Sequence, residues 1–329
     1  MPVVLVTEQE YTRAESVFSS APGVQCTPAP REEAALARAI AAAGVRYVVV
    51  GSYPYTADLY SALPRGGVIA RFGVGHETVD KVKATQAGLL CTNTPGVLDR
   101  SVAELAVLLM LAAARHLTKN ASDMRRGIWD LGPSGSELGG KTLAIVGCGR
   151  IGRATARIAA NGFGMRVVGI RRSPGVTTND ADFDAITTDF GDGVRGAHYV
   201  SLHMTADAPN RKFINADRLA QMSSHAWLIN TGRGVLVDEQ ALYDSLATRR
   251  ISGAAVDVFD REPYVPADPS RDLRTLDNVI LTPHVGSHTH EANRLMAERA
   301  LQNVRLADEG NFSAMDLLNP EVLGSIPHR

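Results

Sequence analysis

The middle of the chain contains the stretch Ile145-Val146-Gly147-Cys148-Gly149-Arg150-Ile151-Gly152. An apolar run predicts a strand that leads directly into Gly147, and helical periodicity follows the last glycine. In such a strand, turn and helix, the first glycine permits the tight turn and the second lets the backbone approach a pyrophosphate. The third lets the helix pack closely on the strand, and the amides at the helix start can hold an anion. The stretch therefore predicts a Rossmann dinucleotide-binding turn.

The next predicted strand ends about 20 residues further on, in Arg171-Arg172-Ser173. An NAD site commonly has a carboxylate at this place, which binds the ribose hydroxyl. Two guanidinium groups and a hydroxyl instead suit a 2′-phosphate, because arginine can bind phosphate through two parallel hydrogen bonds. We therefore predict NADP(H) as the preferred cofactor, with NAD(H) possible. The alternative is that these arginines only solvate a strand end.

The length of 329 residues suits two domains. Before residue 93, short β-branched runs alternate with helical patterns, which is typical of parallel βαβ units. A second series of six strands begins at Leu143 and predicts a complete doubly wound sheet. A helix from Glu291 to Asp308 then returns to the first domain. The predicted fold is α/β, with a Rossmann domain (98–289) inserted into a flavodoxin-like substrate domain (1–97 and 290–329).

Composition excludes several classes of protein. The formal net charge of -1 leaves no overall basic surface for nucleic acid. Cys26, Cys91 and Cys148 are far apart and odd in number, which argues against a disulfide framework and fits a reducing cytoplasm. The longest apolar run, from Leu105 to Ala114, is shorter than the roughly 20 residues of a membrane span, and the N-terminus lacks an export pattern. We expect a cytoplasmic protein with neither nucleic acid nor membrane as partner.

Three later segments each place a reactive side chain after a predicted strand. Leu228 to Gly234 carries Arg233, Asp257 to Pro263 carries three acids, and Leu281 to Ser287 carries His284. In a doubly wound sheet the carboxyl ends of the strands face the ligand crevice, so these side chains are expected to converge.

These motifs, in this order, resemble the D-isomer-specific 2-hydroxyacid dehydrogenase family, which includes glyoxylate and hydroxypyruvate reductases and phosphoglycerate dehydrogenases. The resemblance covers nearly the whole chain. Besides the glycine stretch, it is carried by Ala70 to Asp80, Thr92 to Gly96, Val102 to Glu104, Asn230 to Glu239, Asp257 to Pro263 and Thr282 to Ser287.

The resemblance implies the catalytic roles. Arg233 orients the carboxylate of the substrate and polarises the substrate's keto oxygen. His284 is the general acid and base, and Glu262 holds His284 in place and favours its protonated, charged form. Reduction of a 2-oxo acid needs a proton on the carbonyl oxygen as hydride arrives. A histidine whose pKa is raised by a carboxylate can supply that proton near neutral pH. Taken singly, Arg233 would be better explained as a structural ion-pair partner and His284 as a strand-end histidine. Together with Glu262, in motif order, they indicate a catalytic site.

The resemblance also implies substrate contacts from the first domain. The amides of Val74 and Gly75 are the second site that holds the carboxylate. His76 stands where the family commonly has a different pattern, and it either lines the substrate pocket or faces solvent. Tyr53 and Tyr55 lie in a loop that reaches the substrate side chain in the family, although packing of the loop explains them equally well.

The resemblance places Asp257 and Asn230 near the nicotinamide, since the family's Asp accepts a hydrogen bond from the carboxamide. The residues predicted to contact the cofactor are Gly147, Cys148, Gly149, Arg150, Ile151, Gly152, Arg171, Arg172, Ser173, His203, Met204, Thr205, Val102, Asn230, Thr231, Gly232, Asp257 and Gly286. No metal is predicted, although His284, His288 and His290 are close in sequence, because hydride transfer needs no Lewis acid.

The leading prediction is an NADP(H)-preferring 2-oxo acid reductase that acts on glyoxylate or hydroxypyruvate. A homodimer is implied, because the helix from Ser101 and the Trp129 segment match the family's dimer-forming region. Two alternatives stay open at this point: a dinucleotide-sensing protein of the C-terminal-binding corepressor type, and a formate or phosphite type of dehydrogenase.

Overall fold

The computed structural model describes residues 1–173 and 180–325. The chain divides into two compact units: unit 1 comprises Met1–Leu98 and His288–Arg329, and unit 2 comprises Asp99–Ser287. The boundaries predicted from the sequence differ from these by one or two residues.

Unit 1 contains a parallel sheet of five strands. Its elements up to residue 92 are β1 (Val3–Thr7), α1 (Glu8–Arg13), α2 (Glu15–Phe18), β2 (Gln25–Ala29), α3 (Glu33–Ala43), β3 (Tyr47–Val50), α4 (Asp58–Ala62), β4 (Val68–Arg71), α5 (Lys81–Gln86) and β5 (Leu90–Thr92). The strand order is β2-β1-β3-β4-β5, which is the flavodoxin type. All four residues of β3 are buried, as expected for a strand covered on both faces.

Unit 2 contains a parallel sheet of seven strands. Its elements are α6 (Asp99–Ala114), α7 (Leu117–Arg125), β6 (Thr142–Val146), α8 (Arg150–Phe163), β7 (Arg166–Ile170), β8 (Ala185–Thr187), α9 (Phe190–Val194), β9 (Tyr199–Leu202), α10 (Ala216–Gln221), β10 (Trp227–Asn230), α11 (Glu239–Ala247), β11 (Gly253–Val256) and β12 (Val279–Leu281). The order is β12-β11-β10-β9-β6-β7-β8. The strand order reverses between β6 and β9, which is where a doubly wound sheet binds its ligand. The predicted α/β fold class is confirmed.

The central strand β6 is buried on both faces because its apolar residues alternate between two cores. Leu143 and Ile145 belong to the core that includes residues of α6 and α8. Ala144 and Val146 belong to the core that includes residues of β9, β10 and α11. This double burial explains why the strand reads as a continuous apolar run.

The long C-terminal helix α12 (His290–Asp308) belongs to unit 1 and contacts β4. Its first turn is capped by the Thr289 hydroxyl, which accepts a hydrogen bond from the Ala292 amide. The predicted start at Glu291 is one residue late.

Two details of unit 2 correct the sequence prediction. The prediction of six strands is wrong, because β8 adds a seventh at the sheet edge beside β7. This strand has only three residues, too few to show a periodic pattern. Helix α8 also runs past the predicted end at Asn161-Gly162 to Phe163, and Gly164 ends it with a left-handed φ of 63°.

Within unit 1, the sequence patterns did not reveal α1, α2, α4 or β2. Strand β2 is at the sheet edge and mostly exposed, and it contains Pro28, which an edge strand tolerates.

No single helix in the described residues is long and apolar enough to cross a membrane. Helices α6 and α7 meet the length and composition criteria only as a pair bent by 65°.

Candidate active site

The glycine turn lies between β6 and α8 at the carboxyl edge of the unit 2 sheet. Gly147 has a φ of 104°, and a Cβ there would lie 2.6 Å from the backbone carbon of His203. A Cβ on Gly152 would lie 2.2 Å from the Gly147 oxygen, so only glycine allows α8 to pack this closely. A Cβ on Gly149 would meet no heavy atom within 4 Å, which leaves its backbone open to an approaching group. Each glycine thus has the geometry that a pyrophosphate-binding turn requires.

The side chains next to the turn have local partners. Arg150 forms an ion pair with Asp99, at 3.0 Å between Nε and Oδ2. Cys148 packs against β7, since a Cβ on Gly169 would lie 2.7 Å from its sulfur. Ile151 is half-buried in the first turn of α8. The helix start has no side-chain cap, so backbone amides there can bind an anion.

The residues after β7 lie at the same edge of the sheet. Arg171 is half-buried, whereas Arg172 and Ser173 are exposed. Arg172 Nη2 lies 3.2 Å from Asp207 Oδ2 and 3.1 Å from Asn210 Oδ1, both in the loop that follows β9. A cationic group therefore lies at the position from which this fold commonly binds the ribose hydroxyl, or the 2′-phosphate, of a dinucleotide.

His203 follows β9 and places its backbone against Gly147. Its Nε2 is 2.9 Å from the hydroxyl of the buried Ser201. Desolvation of the imidazole lowers the pKa of His203 to about 4. The ring is therefore neutral at physiological pH.

We expect His203 to make the stability of the protein dependent on pH. A histidine whose folded pKa lies below the unfolded value of about 6.5 contributes its full stability above pH 6.5, and the contribution is lost as the pH falls toward 4. At pH 5 this loss is about 2 kcal/mol at most. The free energy of unfolding, measured by urea denaturation at pH 7.5 and pH 5, should fall more for the wild type than for His203→Gln. An equal fall in the free energy of unfolding of both proteins would contradict the lowered pKa of His203, because the wild type and the variant share all other titrating groups.

Arg233 follows β10 in a turn that the side chain of Asn230 shapes. The Asn230 amide nitrogen donates to the Arg233 carbonyl at 3.0 Å, and its oxygen accepts from the Gly232 amide at 3.1 Å. Arg233 Nη1 donates to the Gly232 carbonyl at 2.7 Å. The guanidinium is thus held at the carboxyl end of the central strands, close enough to Glu262 to lower the pKa of that carboxyl.

His284 lies on a tight turn after β12, with a left-handed φ of 55° that is uncommon for a residue other than glycine. The buried carboxylate of Asp257 holds this turn. It accepts from the Thr282 hydroxyl at 2.6 Å and from the Val285 and Gly286 amides at 2.9 Å each. Burial raises the pKa of Asp257, although these donors oppose the shift. Strained backbone held by its surroundings is typical of functional sites.

Glu262 and His284 form a close pair in which Nδ1 of the histidine lies 2.6 Å from Oε2 of the glutamate. The other carboxylate oxygen accepts from the Phe259 amide at 3.0 Å. Burial by itself would raise the pKa of Glu262. The hydrogen bond and charge of His284, the Phe259 amide and Arg233 outweigh it, so the pKa lies below its usual value. The side chains of His284 and Glu262 are 39% and 35% exposed, so a reactant can reach the pair.

A family model described as "D-isomer specific 2-hydroxyacid dehydrogenase, NAD binding domain" matches residues 107–286, which is more than half of the chain. The chain belongs to this family. The resemblance stated from the sequence motifs is confirmed.

Individual members of this D-2-hydroxyacid dehydrogenase family are similar over most of their length. A glyoxylate reductase from Korarchaeum cryptofilum is 36% identical over 82% of this chain and 81% of its own. A hydroxypyruvate reductase from Thermotoga maritima is 36% identical over 78% of this chain and 82% of its own. The crystal structure of an NADPH-dependent glyoxylate/hydroxypyruvate reductase from Sinorhizobium meliloti, in complex with NADP and malonate, is 29% identical, with a TM-score of 0.78 and 93% coverage of both chains. The protein is therefore an NAD(P)-dependent 2-hydroxyacid oxidoreductase with a dinucleotide-binding domain.

The remaining residues predicted for the dehydrogenase's cofactor lie around the same edge of unit 2. Val102 on α6 is buried beside Gly286, where a Cβ would lie 3.5 Å from Val102 Cγ2. Met204 and Thr205 follow His203, and the Thr205 carbonyl accepts from the Asn210 amide group at 2.8 Å. The buried Thr231 hydroxyl has no hydrogen-bond partner within residues 1–173 and 180–325. A buried hydroxyl without a partner, placed directly after the carboxyl end of β10, fits a site built for a polar ligand.

The predicted substrate residues of unit 1 surround the Gly73 turn and the loop after β3. Gly73 has a φ of 138°, and the Val74 carbonyl accepts from the Asn93 side chain at 2.7 Å. Gly75 and His76 are half-buried. Tyr53 packs edge-on against Tyr55, at 5.8 Å between ring centroids. Tyr55 itself belongs to the core and is 1% exposed, so packing explains this tyrosine. The contacts of the other residues with substrate stay predictions.

His288 and His290 are exposed at the start of α12. In the part of the chain that the structure describes, no group of three or more His, Cys, Asp or Glu side chains is arranged to hold a metal ion.

Sequence reasoning missed three residues that shape this site. Thr282 forms a hydrogen bond with Asp257, which is 25 residues away in the sequence. Asp207 and Asn210 form hydrogen bonds with Arg172, which is 35 and 38 residues away from them in the sequence. No local pattern links residues so far apart. The available signal was that all of them lie at or just after the carboxyl ends of predicted strands.

Proposed function

We propose that this dehydrogenase reduces small 2-oxo acids with NADPH, and that glyoxylate and hydroxypyruvate are the substrates to test first. The observation that carries the proposal is the 2.6 Å contact between His284 and Glu262 after β12, at the sheet edge that also holds the dinucleotide turn. Two similar relatives are a glyoxylate reductase and a hydroxypyruvate reductase, which supports this choice of substrates.

Each residue of the candidate site has a separate role in the proposed reaction. The nicotinamide cofactor supplies the hydride when bound. With Nδ1 of His284 directed to Glu262, Nε2 is the ring atom that gives a proton to the keto oxygen of the substrate. Arg233 binds the carboxylate through its planar fork and favours the negative charge that develops on the keto oxygen. Asp257 and Asn230 keep the turns that carry His284 and Arg233 in place.

The preference for NADPH rests on Arg172, with Arg171 and Ser173 beside it. A phosphate bound by a guanidinium forms charge-assisted hydrogen bonds, worth about 1.5–3 kcal/mol each. NADH lacks the 2′-phosphate and cannot form them.

We expect the KM for NADPH to be at least about 10-fold lower than the KM for NADH, because a single charge-assisted hydrogen bond suffices for that ratio. Arg172→Ala should raise the KM for NADPH by about 10- to 100-fold and leave that for NADH nearly unchanged. Arg195→Ala, which removes an exposed arginine paired with Asp192 elsewhere in unit 2, serves as the control. A wild-type preference for NADH would contradict the proposal.

The substrate is identified by a spectrophotometric screen of 2-oxo acids with NADPH and with NADH. Turnover of glyoxylate or hydroxypyruvate is the expected result. Absence of turnover across the panel would instead favour the dinucleotide-sensing alternative.

A homodimer stays part of the proposal. Trp129 and Leu131 follow α7 and are 84% and 88% exposed. Large apolar side chains that lie next to each other on a surface are typical of an interaction site.

A further inference from the structure

The loop after β9 places a carboxylate on the guanidinium proposed to bind the 2′-phosphate. Strands β7 and β9 flank β6, so the residues that follow them are neighbours at the carboxyl edge of the sheet. One nitrogen of Arg172, Nη2, donates to both Asp207 Oδ2 and Asn210 Oδ1. The other two nitrogens, Nε and Nη1, carry three further N–H groups.

The two acceptors differ in charge and in rigidity. Asn210 is 5% exposed, and its side-chain nitrogen donates to the Thr205 carbonyl. Its backbone amide donates to the Asp207 carbonyl at 2.8 Å. It is a neutral acceptor held in place. The Asp207 side chain is 44% exposed and brings a negative charge.

We propose that Asp207 is a specificity-determining residue that limits the preference for NADPH over NADH. The proposal rests on the proposed function, in which Arg172 binds the 2′-phosphate. A phosphate monoester carries a charge of about -1.5 to -2 at neutral pH. It competes with Asp207 for the same guanidinium and is repelled by the carboxylate. A dinucleotide without the phosphate experiences neither effect, so Asp207 lowers the affinity for NADPH selectively.

The size of the effect follows from the exposure of the pair. The side chains of Arg172 and Asp207 are 64% and 44% exposed, so solvent screens their interaction and the effect is modest. Asp207→Asn keeps an oxygen that can accept from Nη2 and removes only the charge. It should lower the dissociation constant of NADPH by about 3- to 10-fold. The constant for NADH should change by less than about twofold, because only a screened surface charge is removed.

In the experiment, the dissociation constants of NADPH and NADH are measured by fluorescence titration of the wild type, Asp207→Asn and Asp192→Asn. The same three proteins are titrated calorimetrically with 2′,5′-ADP, which carries the 2′-phosphate, and with 5′-AMP, which lacks it. Asp192, on α9, pairs with Arg195 and not with Arg172, so its variant controls for loss of one negative charge. The gain for NADPH and for 2′,5′-ADP should shrink at high salt, since both charges face solvent.

Three results would overturn the inference: unchanged NADPH binding, weaker NADPH binding, or an equal gain for NADH. Failure of the underlying proposal has a different signature. In that case the wild type would bind NADPH no better than NADH, and Arg172→Ala would leave both constants unchanged.

Discussion

Replacement of His284 by asparagine or alanine is expected to lower the rate of 2-oxo acid reduction by roughly 10²- to 10⁴-fold, the usual contribution of a positioned general acid. The keto oxygen would then receive its proton only from water. Asparagine is the better replacement, because it tolerates the left-handed backbone of this position more readily than alanine does. The measurement is kcat with saturating NADPH, followed at 340 nm.

The control for this variant is His290→Ala, which removes an exposed histidine at the start of α12. The dissociation constant of NADPH should be unchanged in the His284 variants, since the imidazole acts on the substrate. A near-wild-type kcat would remove His284 from the mechanism. A loss of NADPH binding would instead show that the turn after β12 had rearranged.

Replacement of Arg233 by glutamine should lower kcat/KM for the 2-oxo acid by about 10³-fold, since orientation of the carboxylate and stabilisation of the developing oxyanion are lost together. Arg233→Lys keeps the charge but loses the planar fork, so it should recover only part of this loss. Steady-state kinetics with varied substrate would separate the effect on KM from that on kcat.

Arg249→Gln serves as the matched control, because Arg249 is an exposed arginine whose partner is Asp277 at the opposite end of β11 from the site. It should leave kcat/KM unchanged. Full activity in Arg233→Lys would mean that only a point charge is needed. Full activity in Arg233→Gln would mean that this arginine does not touch the substrate.

Most of the fold could be predicted because parallel βαβ units have a strong local pattern. Buried strands such as β3 and β6 are continuous apolar runs, and glycines mark their ends. The elements that escaped prediction are short or at a sheet edge. Strand β8 has three residues, and β2 is mostly exposed. Neither buries enough side chains to impose a period on the sequence.

The sequence and its family resemblance were enough to propose the members of the candidate site and the pairing of Glu262 with His284, but not the other contacts of the site. Arg233, Glu262 and His284 could be chosen because each follows a strand and matches a family motif. Their geometry depends on features without a local signal. Thr282 binds the carboxylate of Asp257, and that carboxylate holds the turn on which His284 adopts a left-handed backbone.

The sequence alone determined the dinucleotide turn, since Gly147, Gly149 and Gly152 lie within six consecutive residues that join β6 to α8. Backbone geometry over so short a span depends on the residue types themselves. Tertiary structure alone decided that Thr282 meets Asp257 across 25 positions and that Asp207 meets Arg172 across 35. These distances depend on strand order and register, which bring remote residues to one edge of the sheet. The charge next to the proposed 2′-phosphate site is therefore a property of the fold rather than of the motif.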